Sequence, residues 1–221
     1  MKMDRRGWAG LGLAVAAGYA ASQWLQHQPD TSLRLDATPD VQAVLADRGS
    51  PAVGAASPDV TIVVFTDYQC PICRRSDAAL ERLVARDRGV RVIYKDWPIL
   101  GEASREAARA ALAAVPQGRY AAVHRSLMAL RSPLDATQVR RAAERAGADW
   151  ARLEADRLAQ ATAIDRQLSR HGFQAFSLGL EGTPAYLVGP YLVRRGLDDR
   201  ALSKLVASAR RAGPPKAPAY R

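Results

Sequence analysis

Residues 60–65, VTIVVF, are an unbroken run rich in β-branched side chains, the pattern of a strand buried on both faces. Just beyond, PICRRSDAALERLVAR sets Ile72, Ser76, Ala79, Leu80, Leu83 and Val84 at helical spacing, and Gly89 ends the element. VRVIYKDWP then returns as a second strand closed by Pro98, so this stretch predicts β-α-β. Upstream, DVQAVLADRG predicts a short helix with Gly49 just beyond its end, and SPAVGAASPD a turn-rich approach to the first strand. Near the other end, Ala185 to Val188 and Tyr191 to Val193 flank a Gly-Pro turn and predict a hairpin, followed by a last helix in DDRALSKLVASARRAG.

Between these halves, from about Glu102 to Ser177, the period is helical throughout. Ser104 precedes an alanine-rich helix, and Gly118 to Leu130 forms another. Asp135 with Gln138 resembles a capping box, and Asp149 opens a long helix with Trp150, Leu153, Ala161, Ile164 and Leu168 on one face. Tyr120, His124 and Trp150 are expected to be packing or surface residues without a catalytic part.

The amino terminus differs in kind. A basic start precedes an apolar run from Trp8 to Ala21, short of the roughly 20 residues that span a bilayer but extensible through Trp24 and Leu25. Residues 1–21 are therefore expected to be an export signal or a membrane anchor, with Arg5-Arg6 part of an ordinary basic leader. Residues 22–39 are polar and aperiodic and predict a linker. Either way the folded part is expected outside the cytosol, in the periplasm or tethered to a membrane, where disulfides persist.

Composition narrows the function. The chain of 221 residues has 48% hydrophobic residues, enough for a proper core, and a net charge of +10. That charge is uneven: residues 194–221 hold eight basic residues against Asp198 and Asp199, ending in a basic tail at 213–221. A near-neutral body with few aromatics is not a nucleic-acid groove, which needs a basic stripe with interleaved aromatics.

The only two cysteines, Cys70 and Cys73, stand two residues apart in TDYQCPICRR, at the carboxyl end of a strand and the start of a helix. Amide N–H groups and the dipole at a helix N-terminus stabilise an anion, here a thiolate. Cys70 with a depressed pKa is thus the expected nucleophile, Pro71 fits the first turn, and Cys73, one turn in, is the shielded resolving thiol. A zinc half-site would need two more ligands, and His27, His124 and His171 lie in separate segments. A structural disulfide closing so small a loop would add little. No metal and no cofactor are expected.

A second segment, LEGTPAYLVGPYLVRRGL, completes the order β-α-β, helices, β-β-α. With FTDYQCPIC as redox motif and GTPAYLVG as cis-proline loop, residues 40–212 resemble the DsbA family of thioredoxin-fold proteins. The resemblance implies an α/β thioredoxin-like fold with an inserted all-helical subdomain: first part 40–101, insertion 102–178, second part 179–212. It implies a protein thiol-disulfide oxidoreductase with Cys70, Cys73 and Pro184 catalytic and Thr183, Pro71 and Ile72 meeting the substrate. Its partners would be cysteine-containing exported polypeptides and a membrane redox protein of DsbB or DsbD type. Three departures bear on direction. Ile72 stands where DsbA has histidine, Val64 where relatives carry a buried acid, and Thr183 where DsbA has valine; Asp67 is expected to cap the turn. Oxidation of substrates is the first reading, reduction or isomerisation the second. A non-enzymatic binding module, or a carrier holding Cu(I) through the two thiolates, is the third.

Overall fold

The computed structural model describes residues 32–131 and 133–216. The expected leader, most of the linker and the end of the basic tail lie outside the described residues. Among those described, the elements run β1 (Leu33–Arg34), α1 (Pro39–Leu45), β2 (Ala52–Gly54), β3 (Val60–Thr66), α2 (Pro71–Arg86) and β4 (Val90–Asp96). Five helices follow, α3 (Glu102–Ala113), α4 (Tyr120–Met128), α5 (Ala136–Arg145), α6 (Trp150–Ala159) and α7 (Ala161–Ser177), then β5 (Ala185–Val188), β6 (Tyr191–Val193) and α8 (Asp199–Ala212). The sheet order is β1-β6-β5-β3-β4-β2, with β3 and β4 parallel and every other pair antiparallel.

Helix starts follow the side chains. Thr38, Asp135, Asp149 and Asp198 each accept a hydrogen bond from the backbone N–H three residues on, satisfying an otherwise orphaned donor. At α2 the cap is Cys70 itself, with Pro71 in the first turn.

Strand β3 separates two cores. Ile62 and Val64 face one core with Leu80 and Leu83 of α2, Leu202 and Val206 of α8, and the insertion through Leu127 and Leu153. Val63 and Phe65 face the other, with Val41 and Val44 of α1 and Ala175 of α7. Each large apolar side chain so buried contributes about 1.5–3 kcal/mol. Helix α7 belongs to both: Ile164 and Leu168 enter the first core and Ala175 the second.

Four expectations change. The predicted linker carries β1, which pairs Leu33 with Leu192; Leu35 N–H donates to Pro190 O at 2.8 Å and Ala37 N–H to Lys216 O at 2.7 Å. The approach before β3 contains β2, paired with β4. Both are short edge strands made by pairing rather than by local pattern. The long helix from Asp149 breaks at Gln160 into α6 and α7, letting α7 leave the insertion and cross to the second core. Helix α3 starts at Glu102, so Ser104 lies inside its first turn, not before it. No helix among the described residues is long and apolar enough to cross a membrane.

Candidate active site

The turn between β3 and α2 carries the cysteines, and the loop before β5 faces it. Thr183-Pro184 is a cis peptide bond, and Pro184 is buried. The Cys70 thiol donates to Thr183 O at 3.3 Å, and Cys73 N–H donates to Cys70 Sγ at 3.2 Å. Cys70, Cys73, Thr183 and Pro184, more than a hundred residues apart in sequence, are thus brought together. Pro71 and Ile72 form the outward edge of the turn, Ile72 being 44% exposed.

Both cysteines are free and buried. The Cys73 thiol is the largest influence on Cys70; together with the N–H groups of Cys73 and Ile72 and the Thr183 side chain it overcomes burial and lowers the Cys70 pKa to about 6. Burial first, and the neighbouring Cys70 second, push Cys73 far above the usual thiol range. The pair therefore holds one ready thiolate and one protonated thiol at neutral pH.

The polar lead-in to Cys70 is buried at Thr66, Asp67 and Tyr68 and half-buried at Gln69, not exposed as its composition suggests. Asp67 accepts from Gln69 N–H at 2.7 Å, Ile99 N–H at 2.8 Å, Leu100 N–H at 2.9 Å and Ser104 Oγ at 2.6 Å. It caps the turn and also staples it to the β4–α3 loop. The Tyr68 hydroxyl meets His124 Nδ1 at 2.9 Å, and Arg74 Nε donates to Tyr68 O at 2.7 Å. His124 is buried within this polar cluster. His171 is committed elsewhere, to Ser50 Oγ at 2.8 Å and Asp96 O at 3.0 Å. Among the described residues no group of three His, Cys, Asp or Glu could hold a metal ion. Val64 leaves the strand behind the pair without an acid.

Sequence reasoning passed over the loop after β6. Its Gly196 sits so close to α2 that a Cβ there would lie 2.5 Å from Ile72 Cγ2 and 2.8 Å from Ser76 Oγ. Leu197 N–H donates to Ser76 Oγ at 3.1 Å, locking the loop onto the first turns of the redox helix. Gly196→Ala should cost about 1–3 kcal/mol in urea unfolding, because β-branched Ile72 cannot swing aside freely. Ile72→Ala should recover part of that loss, and strict additivity of the two changes would refute the contact.

A family model described as "DSBA-like thioredoxin domain" matches residues 61–201. A thioredoxin-like oxidoreductase from Silicibacter pomeroyi DSS-3 is 39% identical, with TM-score 0.74, covering 80% of this chain and 100% of its own. A periplasmic thioredoxin-like protein from Salmonella enterica serovar Typhimurium is 30% identical, with TM-score 0.67, covering 79% and 98%. The thiol-disulfide exchange protein alpha-DsbA2 from Wolbachia pipientis is 25% identical, with TM-score 0.72, covering 76% and 90%. Among curated sequences, the Na(+)/H(+) antiporter NhaA 3 of Salinispora tropica is 29% identical over 164 residues, 71% of this chain but 24% of the antiporter. The chain thus spans about a quarter to a third of the curated relatives it matches. With its thioredoxin fold, helical insertion and close cysteine pair, the chain belongs to the DSBA-like thioredoxin domain family, whose domain is that of a protein thiol-disulfide oxidoreductase.

Proposed function

We propose that this domain forms or exchanges disulfides in exported proteins, outside the cytosol, with Cys70 as nucleophile and Cys73 as resolving thiol. The observation that carries the reading is the asymmetric dithiol at the start of α2, with Cys70 held near pKa 6 and hydrogen-bonded to the loop of cis-Pro184. The extracytoplasmic location is supported by the basic-apolar leader in the sequence and by the periplasmic relative.

In the oxidising direction a substrate thiolate attacks Cys70 Sγ of the Cys70–Cys73 disulfide. That bond breaks, and Cys73 leaves as a thiolate and takes up a proton. The substrate's second thiolate then attacks the substrate sulfur of the mixed disulfide and releases Cys70, so one substrate disulfide forms and the enzyme pair is reduced. A membrane partner of DsbB or DsbD type would reset the pair. The reverse sequence, opened by the Cys70 thiolate, gives reduction or isomerisation. Thr183 and Pro184 would line the exposed side of the sulfur, with Pro71 and Ile72 as the substrate-facing rim.

Ile72 favours a milder oxidant than DsbA, since it offers Cys70 neither a charge nor a donor. A Cys70 pKa of about 6 also lies closer to thioredoxin's (about 7) than to DsbA's (about 3.5). The potential against glutathione should fall between about −270 and about −120 mV. Ile72→His should raise it by some tens of millivolts, about 30 mV for each pKa unit lost at Cys70, and Ile72→Val should leave it nearly fixed. Insulin reduction and reduced-RNase refolding decide the class: a chain with neither activity is a binding module.

A further inference from the structure

The redox turn is gripped from the helical insertion by two side chains. Asp67 is bonded to Ser104 of α3, and Tyr68 to His124 of α4. His124 sits in a closed cluster: Nε2 lies 3.1 Å from Asp77 Oδ1 of α2, and the rings of Tyr68, Tyr94 and Tyr120 pack around it at 5.3, 4.4 and 5.8 Å. Tyr120 donates to both oxygens of Asp96, at 3.1 and 2.9 Å, and the Asp96 charge bears on both Tyr68 and His124. Beyond these, Glu81 of α2 faces the cluster, paired with Arg125 of α4.

Donor counting gives the direction of the bond to Asp77. An ionised carboxylate only accepts, which sets the direction at Asp77, while the Tyr68 hydroxyl shares a hydrogen with Nδ1 as donor to the neutral ring or acceptor from the charged one. His124 Nε2 donates to Asp77. A second hydrogen, on Nδ1, makes the ring the imidazolium, the form that the carboxylates around it favour. Burial opposes that charge, but Asp77, with Asp96 and Glu81 behind it, outweighs burial and holds the His124 pKa above its ordinary value.

We propose that His124 is a positioning residue for the Cys70–Cys73 reaction, fixing Tyr68 two residues ahead of Cys70 and neutralising Asp77, one turn beyond Cys73 on the same face of α2. This rests on the oxidoreductase reading and deepens it: the insertion supplies a cation that keeps the redox helix favourable to a thiolate. Cys73 and Asp77 are four residues apart, hence neighbours on the helix. Asp77 stands seven residues from Cys70, about 10 Å along the axis. An uncompensated carboxylate at that separation, in an effective dielectric of about 20, raises a thiol pKa by about one unit. The disulfide state carries no thiolate and does not feel the change, so the potential falls by up to about 30 mV.

The test is His124→Gln, which keeps a hydrogen-bonding side chain and removes the charge, compared with His124→Gln/Asp77→Asn, which removes both charges. Thiolate absorbance against pH should put the Cys70 pKa about one unit higher in the single variant and close to the parent value in the double variant, with the glutathione potential moving in step. A folded single variant with unchanged pKa and potential overturns the proposal, as does a double variant shifted as far as the single. The native protein gives a second readout that needs no variant to fold. Ring-proton NMR should find His124 titrating above the ordinary 6.5, and higher in the reduced than in the oxidised protein, because coupling between two sites is reciprocal. Identical titration in both redox states overturns the proposal. None of these measurements uses a protein substrate. Loss of both insulin and RNase activities alongside the expected shifts would therefore refute the proposed function and leave the coupling standing.

Discussion

Replacing Cys70 by alanine should abolish insulin reduction and RNase oxidation, whereas Cys73→Ala should capture substrates as mixed disulfides and release them only slowly. The difference follows from the two pKa values. With Cys70 near 6, roughly nine-tenths of it is thiolate at pH 7, while Cys73 stays protonated behind it. Iodoacetamide should label Cys70 with a half-maximal rate near pH 6 and leave Cys73 unlabelled. Equal rates for the two thiols near neutrality would remove the basis for the assignment. The Cys73 thiol is also the largest influence lowering Cys70, so Cys73→Ala should move the half-maximal pH upward, toward the ordinary thiol value, and trapping should improve as pH rises. The sign for stability is fixed in the same way. A folded pKa depressed from 9.0 to about 6 favours the folded reduced protein above that range, and the advantage is lost as pH falls through 6.

Asp47→Ala should destabilise the protein by about 3–5 kcal/mol, the usual cost of stranding a buried charge. Lys95 is fully buried on β4; its ammonium is bonded to Asp47 and, at 3.0 Å, to Ser50 Oγ. Burial pushes the Asp47 carboxyl up, but Lys95, by hydrogen bond and charge, outweighs it and holds that carboxyl well below its ordinary value. Burial, with the Lys95 cation next, lowers His171 to about 3, so the neutral ring completes the cluster. For a domain of this size the loss amounts to a fall of roughly 6–20 °C in melting temperature. Because the Asp47 pKa is depressed, the pair's contribution should be present above about pH 4 and lost in strong acid, and because burial lowers the Lys95 pKa the pair should also be lost at alkaline pH as Lys95 gives up its proton. Asp47→Leu combined with Lys95→Met should recover most of the loss, since a matched apolar pair leaves no stranded charge. A single variant melting within a degree or two of the parent would show that water reaches Lys95.

The elements that local chemistry specifies were legible before the structure. The β-branched run of β3, the Gly-Pro turn of the β5–β6 hairpin, and the caps Asp135 and Asp149 each act within a few residues, so periodicity and turn chemistry suffice. Cys70, Cys73, Thr183 and Pro184 were legible as two motifs. What escaped depends on pairing across long separations. Leu33 becomes a strand only because Leu192 lies beside it. His124 reads as a helical packing residue until α4 sets it against Tyr68 and Asp77. Gly196 carries no turn signature, because its glycine is required by the approach of Ile72 and Ser76 and not by its own backbone. The buried lead-in TDYQ misleads for a related reason: polar residues signal exposure only when their partners are water, and here Asp67 has four partners within the protein.

Helix α7 has a bearing on how the molecule comes apart. It starts in the insertion with Ile164 and Leu168 in one core and ends with Ala175 in the core on the opposite side of the sheet. Its His171 is bonded to Ser50 and to the carbonyl of Asp96, so the helix also closes the cluster around Lys95. Swinging the helical insertion away from the sheet would open both hydrophobic layers and break both buried bonds of His171 in the same motion. The insertion is therefore expected to melt with the sheet as a single cooperative unit, and a bulky polypeptide at Cys70 meets the exposed face at Ile72 and the loop at Gly182 rather than a cleft opened by a hinge between subdomains.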